Sequence, residues 1–214
     1  MHGHILNLDI IYDSLWGHKP FAIGVKLPTI FTHSLVGLAA GKVFSVDNLP
    51  KRFWVLSFIC PSLPDLDYFG MSLWGIPYEH ILGHRGFTHS FVFAASISLV
   101  IVLVFFRDSM IQSRLGLLLM AYFTLIISSH GLLDGLTNGG LGVAYFFPLD
   151  NERYFLPFRP IEASPFIDGF FGKTGLKVML NEILLVWIPL CCVMILSKTI
   201  KRVVRGRKAD AQNR

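Results

Sequence analysis

The sequence predicts an all-α, polytopic membrane helix bundle with about 3 to 5 membrane helices and a polar site at one membrane face. Of its 214 residues, 53% are hydrophobic and only 15% are charged, which leaves too little polar surface for an ordinary soluble domain. Long uncharged stretches, with histidines and aspartates at their ends, support the same prediction.

Three stretches are expected to be membrane-spanning helices. Residues 86–106 and 115–133 contain 21 and 19 residues without Lys, Arg, Asp or Glu, and about 20 apolar residues cross a bilayer core as a helix. The third stretch, residues 183–197, contains 15 uncharged residues and becomes long enough when residues 178–181 join it.

Two further apolar stretches, residues 27–41 and 53–64, are too short to span. They predict short, tilted or partly re-entrant helices. The chain then divides into an N-terminal extension (residues 1–28), a membrane-embedded domain (residues 29–197) and a basic tail (residues 198–214).

Basic residues predict the orientation. The tail follows the last span directly, so the positive-inside rule places it in the cytoplasm against anionic headgroups, with a nucleic-acid-binding arm as the alternative. The same rule places the loop with Arg107 and Arg114, and the turn with Lys51 and Arg52, on the cytoplasmic side. One topology satisfies all three segments, and reversing it would reverse the side of the site.

In this topology, seven histidines and aspartates of the apolar stretches fall at the opposite, outer end. They are His33, Asp65, Asp67, His84, His89, His130 and Asp134. Ionisable residues in membrane helices are costly and indicate function by default. The basic residues alone determine this topology, so the shared position of the seven predicts a common site.

The local spacing of these residues fits ion binding. His130 and Asp134 are four residues apart, hence on one helix face, where they can bind one ion or each other. Asp65 and Asp67 follow a proline, and an extended backbone there would point both carboxylates the same way. A cation would relieve their repulsion, and a solvated turn is the alternative.

The stretch GHRGFTHS, residues 83–90, predicts a loop that leads into a helix N-terminus. On a continuous helix His84 and His89 would point apart, and Gly86 offers a break that could turn them together. Thr88 or Ser90 is the expected helix cap.

Three arginines are candidates for anion binding. Arg85, beside the histidines, supplies a fixed positive charge for an anionic substrate or a headgroup. Arg153 and Arg159, in the segment before the last span, could bind a substrate or anchor that segment to headgroups.

The predicted ligands include four imidazoles and three carboxylates but no cysteine. Such a set suits zinc or a comparable divalent metal, with one or two ions. Ions of this kind lower the pKa of a bound water and hold a phosphoryl or carbonyl oxygen. The sequence therefore predicts a metal site.

Four motifs in this order, THSLVG, LPDLD, GHRGFTHS and SHGLLD, resemble the YdjM-like family of LexA-regulated, inner-membrane, metal-dependent hydrolases. The resemblance extends from about Thr32 through residues 146–166. It implies a distant similarity to zinc-dependent phospholipase C and single-strand nucleases. By that resemblance His130 and Asp134 are metal ligands, completed by Asp65 or Asp67 and by His84 or His89. The further His-x-x-x-Glu pair of those enzymes has no clear equivalent here.

The expected function is a metal-dependent hydrolase of the bacterial inner membrane that acts on a phosphoester, with phospholipid as one candidate and no nucleic-acid partner. Metal-activated water would attack, with Asp65 or Asp67 orienting the water or acting as base and Arg85 assisting.

Three other functions are compatible with parts of the sequence. A metal-free lipid phosphatase also uses a His-x-x-x-Asp pair, but the chain has no Pro-Ser-Gly-His motif. A serine hydrolase would need Gly-x-Ser-x-Gly, which is absent from the sequence. A non-catalytic membrane protein would use the polar residues structurally or as an ion pathway, although their position at one end favours a surface site.

Overall fold

A computed structural model of the protein describes residues 30–44, 49–107, 113–163 and 172–212. Helices dominate these ranges, and β contacts within them are limited to two isolated bridges, Thr137 with Ile161 and Val143 with Tyr154. The predicted all-α class is confirmed. The N-terminal extension, residues 1–28, lies outside the described residues.

The first half of the bundle consists of short helices. Helix α1 is Ile30–Val43, and helix α2, Lys51–Ile59, continues into a 3₁₀ segment, Cys60–Leu66. Helix α3, Asp67–Trp74, follows directly and ends at Gly75, whose φ of 64° gives a left-handed cap.

The backbone of the Asp65 and Asp67 stretch corrects the sequence prediction. It is not extended: Asp65 lies in the 3₁₀ segment and Asp67 opens α3. Pro61 lies at the start of that segment and Pro64 within it. Proline lacks the N–H that a continuing α-helix needs, so the chain takes a tighter turn that the extended prediction did not allow for.

Helices α4, Phe91–Phe105, and α5, Arg114–Gly135, pack against each other. Helix α5 has 22 residues and is long and apolar enough to span a membrane. Helix α4 has 15 residues, fewer than predicted from residues 86–106. It starts late because Phe87–His89 forms a separate 3₁₀ turn and the Ser90 hydroxyl caps α4, accepting from the Phe93 N–H at 3.1 Å.

The last span is one continuous helix with a change of winding. Helix α6, Lys173–Glu182, passes through a π-helical segment, Ile183–Trp187, into helix α7, Ile188–Gln212. Its portion Lys173–Val204 has 32 residues and spanning hydropathy, so the predicted third span is confirmed as a helix of sufficient length. Two described helices therefore have spanning length, while α1 and α4 are apolar but shorter.

Close packing of α1 on α2 sets the position of the site. A Cβ at Gly37 would lie 1.9 Å from the carbonyl oxygen of Ser57, so only glycine allows this approach. Phe53 and Phe123 are fully buried in the apolar core that lies between α2 and α5. This core holds α1 and the 3₁₀ segment against the end of α5.

Candidate metal centre

Seven side chains converge at one end of the bundle and form what we call the His/Asp cluster. Its members come from α1, the 3₁₀ segment, α3, the 84–89 segment and α5: His33, Asp65, Asp67, His84, His89, His130 and Asp134. Six are buried, and only Asp65 has a partly accessible side chain, 16% exposed. The structure thus brings together every histidine and aspartate of the predicted site.

At the centre of the cluster, imidazole nitrogens lie close to carboxylate oxygens. His130 Nε2 lies 3.2 Å from Asp65 Oδ1 and 3.7 Å from Asp134 Oδ2, and His89 Nε2 lies 3.3 Å from Asp134 Oδ2. None of these nitrogens makes a hydrogen bond of acceptable geometry among the described residues, and neither do Asp65 Oδ1 and Asp134 Oδ1.

Buried polar atoms without partners are rare because each costs free energy. A cation among these atoms would satisfy them together. Three sets of residues place one ligand atom each within 4.8 Å of one another: His33, Asp65 and His130; Asp65, His84 and His89; and His89, His130 and Asp134. The cluster could therefore hold a metal ion.

The opposite ring nitrogens of three histidines contact other protein groups. His130 Nδ1 lies 2.7 Å from the Pro61 carbonyl oxygen, an acceptor only, so Nδ1 carries the proton and Nε2 presents its lone pair to the cluster. His84 Nδ1 and His89 Nδ1 lie 2.8 and 3.2 Å from the Asp67 carboxylate. This pattern is typical of metal-binding histidines, whose second nitrogen fixes the ring.

The two predicted carboxylates consequently differ. Asp67 accepts a hydrogen bond from the Thr88 hydroxyl at 2.7 Å and one from the Arg85 backbone N–H at 3.2 Å, in addition to its contacts with His84 and His89. Asp67 therefore contacts both histidines through Nδ1, the ring nitrogen opposite Nε2. Asp65 instead directs Oδ1 at the cluster's centre, and the metal-ligand role for Asp67 stays a prediction.

Arg85 is fully buried behind Asp134. Its Nε lies 3.1 Å from Asp134 Oδ2, Nη1 donates to the Gly139 carbonyl at 2.8 Å, and Nη2 donates to the Thr137 hydroxyl at 3.0 Å. Its backbone has a φ of 64°, unusual for a non-glycine residue. These contacts favour a role in holding Asp134, and a contact with substrate stays a prediction.

The other two arginines lie in different surroundings. Arg153 donates through Nη1 to the His84 carbonyl oxygen at 2.8 Å and through Nη2 to the Tyr78 carbonyl oxygen at 3.0 Å, and burial lowers the pKa of its guanidinium. It therefore ties residues 136–163 to the segment that carries His84. Arg159 is exposed over the Phe155 ring at 4.6 Å. Substrate binding by either arginine stays a prediction.

The sequence placed Arg153 and Arg159 in the irregular segment, residues 136–163, but did not predict that segment's contacts with the residues around the cluster. Thr137 and Gly139 accept from Arg85, and the Tyr145 hydroxyl donates to the Gly131 carbonyl at 2.9 Å. Burial raises the pKa of Tyr145 to about 12, so its hydroxyl stays protonated as a donor. These residues carry no periodic pattern, and the adjacent glycines of LTNGG were the only available signal of a tight backbone approach.

Fold and cluster together define a helical protein with two described helices of membrane-spanning length and a candidate metal centre. The chain matches the YdjM inner membrane protein family over residues 28–204 and belongs to that family. Inner membrane protein YbcI of Escherichia coli (strain K12) is 35% identical over 167 residues, which cover 76% of this chain and 92% of YbcI. No solved structure matches the chain. The family resemblance is thereby confirmed, and membership places the chain in the bacterial inner membrane.

Proposed function

We propose that this protein is a metal-dependent hydrolase that acts on a phosphoester at the membrane surface. The observation that carries the proposal is the two-sided arrangement of His130. Its Nδ1 contacts the Pro61 carbonyl, while Nε2 lies 3.2 and 3.7 Å from the carboxylates of Asp65 and Asp134 without hydrogen-bond geometry to either. A structural histidine pair would satisfy both nitrogens, whereas a metal ligand keeps one lone pair for the ion.

The residues available to an ion fit one or two zinc ions. His33, Asp65 and His130 form one possible set, and His89, His130 and Asp134 form another. Nitrogen and oxygen donors without sulfur, in sets of three that leave a position open, are typical of catalytic zinc. A divalent ion there would supply a water that ionises near neutral pH and a positive charge for a phosphoryl oxygen.

The protein's own contribution is clearest for Asp65. It is the one member of the cluster with solvent access, at 16% of its side chain. A general base must lie within hydrogen-bond reach of the proton it accepts, and solvent access gives that proton a way out of the site. We therefore assign Asp65 the role of orienting water or accepting its proton, and Arg85 the role of holding the buried Asp134 carboxylate in place.

Exposed apolar side chains beside Asp65 favour a lipid-like phosphoester. Leu66 is 55% exposed and Phe69, one turn along, is 54% exposed. Apolar side chains next to the accessible ligand can contact the hydrocarbon part of an amphiphile while its phosphate reaches the cluster. A phospholipid meets both requirements.

The orientation belongs to the same proposal. Lys201 of the last helix contacts the carbonyl oxygens of Lys42 and Val43, at the end of α1 away from His33. Lys201 and Lys42 thus lie at the end of α1 opposite the cluster. By the positive-inside rule that end is cytoplasmic, and the cluster faces outward with about 3 to 5 helices crossing or entering the bilayer.

The proposal is tested by metal content and hydrolysis in detergent-purified protein. Wild type is compared with His130→Ala, Asp134→Ala and a surface control, Lys177→Ala, whose side chain is exposed. We expect bound zinc and chelator-sensitive phosphoester hydrolysis in wild type and the control, and neither in the two cluster variants. Folded wild type that binds no metal after resupply would overturn the proposal in favour of a metal-free phosphatase or a structural cluster.

A further inference from the structure

His33 differs from the other three histidines of the cluster. Neither of its ring nitrogens has a hydrogen-bond partner among the described residues, although the ring is fully buried. It stacks on the His130 ring, with centroids 3.7 Å apart and planes 19° apart, and its Nε2 lies 3.9 Å from Asp134 Oδ1. No hydrogen bond orients this ring, so its position depends on that stack and on the backbone of α1.

The residue before His33 anchors that backbone to the last membrane helix. The Thr32 hydroxyl donates to Glu182 Oε2 at 2.5 Å and accepts from Trp187 Nε1 at 2.8 Å. Thr32 and Glu182 are both fully buried. We call these three residues the Thr32 link.

The π-helical segment makes the Thr32 link possible. Glu182 and Trp187 are five residues apart, which on a regular α-helix would separate them by about 140°. Residues Ile183–Trp187 are π-helical, and the i to i+5 repeat of that winding places residues five apart on one side. Both side chains can then reach Thr32. Single π turns of this kind are frequent at functional sites.

Glu182 is also unusual for its place in the chain. It lies within the apolar helix Lys173–Val204, where a buried carboxyl group is costly and seldom present without function. Packing α1 against the last helix would be served as well by apolar side chains. A polar link next to His33 therefore calls for a reason beyond packing.

We propose that Thr32, Glu182 and Trp187 are positioning residues that fix His33 in the metal centre. The inference rests on the proposed metal site and extends it to a helix that contributes no side chain to the cluster. By holding α1 one residue before His33, the link sets where the imidazole stands relative to Asp65 and His130. It replaces the hydrogen bond that the other three imidazoles have and His33 lacks.

A double-mutant cycle on metal affinity tests this role. Thr32→Val removes the hydroxyl with little change of size, and Thr32→Ser is the matched control that keeps it. The dissociation constant for Zn²⁺ is measured against a competing chelator, with thermal unfolding recorded for each variant. We expect Thr32→Val to raise the dissociation constant by about ten-fold and Thr32→Ser to leave it near the wild-type value.

The cycle is completed in the His33→Ala background. If Thr32 acts through His33, Thr32→Val should weaken zinc binding no further once His33 is gone. An equal loss with and without His33, or a lower Tm at unchanged affinity, would overturn the inference and leave the link as packing alone.

Trp187→Phe is a second, milder variant that removes the indole N–H and keeps an aromatic ring. We expect a smaller loss of zinc affinity that also disappears in His33→Ala, and an unchanged affinity would contradict the inference. Zinc binding without hydrolysis of any phosphoester would overturn the proposed hydrolase, while the same cycle would still decide the role of the Thr32 link.

Discussion

His89 and His84 meet on a single carboxylate, that of Asp67, with Nδ1 to oxygen distances of 3.2 and 2.8 Å. One aspartate thereby orients two imidazoles that reach the cluster from one short segment. These histidines are five residues apart, and the break before the Phe87–His89 turn together with the shared partner brings their rings to one site. Asp67 therefore contacts the ring nitrogens of His84 and His89 that lie opposite their Nε2 atoms.

Replacing Asp67 with asparagine should weaken metal binding, because Asp67 contacts both His84 and His89. Asp67→Asn keeps the size but removes the charge and one acceptor, so both imidazoles lose orientation and basicity. Loss of such a partner typically costs about 10- to 100-fold in metal affinity. Chelator competition measures the change, and Thr88→Val, which removes one donor to Asp67, should show a smaller effect. Equal affinity in wild type and Asp67→Asn would contradict the orienting role.

Removing the metal should lower the thermal stability of the protein. Without an ion the inward nitrogens and oxygens of His33, His130 and Asp134 stay buried without hydrogen bonds. Binding to the folded state alone contributes about 4 kcal/mol when the free ion is 1,000 times the dissociation constant. Thermal unfolding in detergent should show a lower Tm with EDTA and recovery with zinc. The variant Asp134→Ala should show no zinc-dependent rise, and a rise there would place the ion elsewhere.

Sequence patterns predicted which residues converge better than they predicted how those residues are arranged. The four-residue spacing of His130 and Asp134 fixes one helix face, and both side chains do reach the cluster. An extended chain would point the carboxylates of Asp65 and Asp67 the same way, which left either one as the ligand or base. With the 3₁₀ turn at Pro61 and Pro64, Asp65 instead contacts His130 Nε2 at the centre of the cluster. Asp67 contacts the Nδ1 side of His89.

Other features could not be predicted because they arise only from tertiary contacts. Arg153 contacts the carbonyl oxygen of His84, 69 residues earlier in the chain, and nothing in the local sequence indicates that pairing. No sequence pattern marks the π-helical turn after Glu182. Its consequence, that Glu182 and Trp187 both contact Thr32, is visible only in the structure. The late start of α4, in contrast, had a visible signal in its Ser90 cap.

Arg85 should prove more important for stability than for substrate binding. Arg85→Ala would leave the Asp134 carboxylate buried without its cation, and breaking a buried pair in this way costs about 3–5 kcal/mol. Arg85→Lys should recover only part of the loss, since an ammonium cannot reproduce the guanidinium's contacts with Thr137 and Gly139. Denaturant unfolding measures the free energies, with the exposed Arg159→Ala as the control expected to be neutral. A raised KM with unchanged stability in Arg85→Lys would instead identify a substrate contact.

The apolar rim beside Asp65 should distinguish lipid from soluble substrates. Phe69→Gln keeps a side chain of moderate length but removes apolar surface next to the accessible carboxylate. We expect several-fold lower hydrolysis of a long-chain phospholipid in mixed micelles and unchanged hydrolysis of a short, soluble phosphoester. The two rates differ because only the long-chain substrate brings hydrocarbon that the Phe69 ring can contact.

Leu149→Gln is the control, because Leu149 is 91% exposed and lies in the irregular segment rather than beside Asp65. A parallel fall on both substrates would mean that Phe69 supports the site itself. Loss of lipid hydrolysis alone would instead identify the face of α3 as the route by which an amphiphile reaches Asp65.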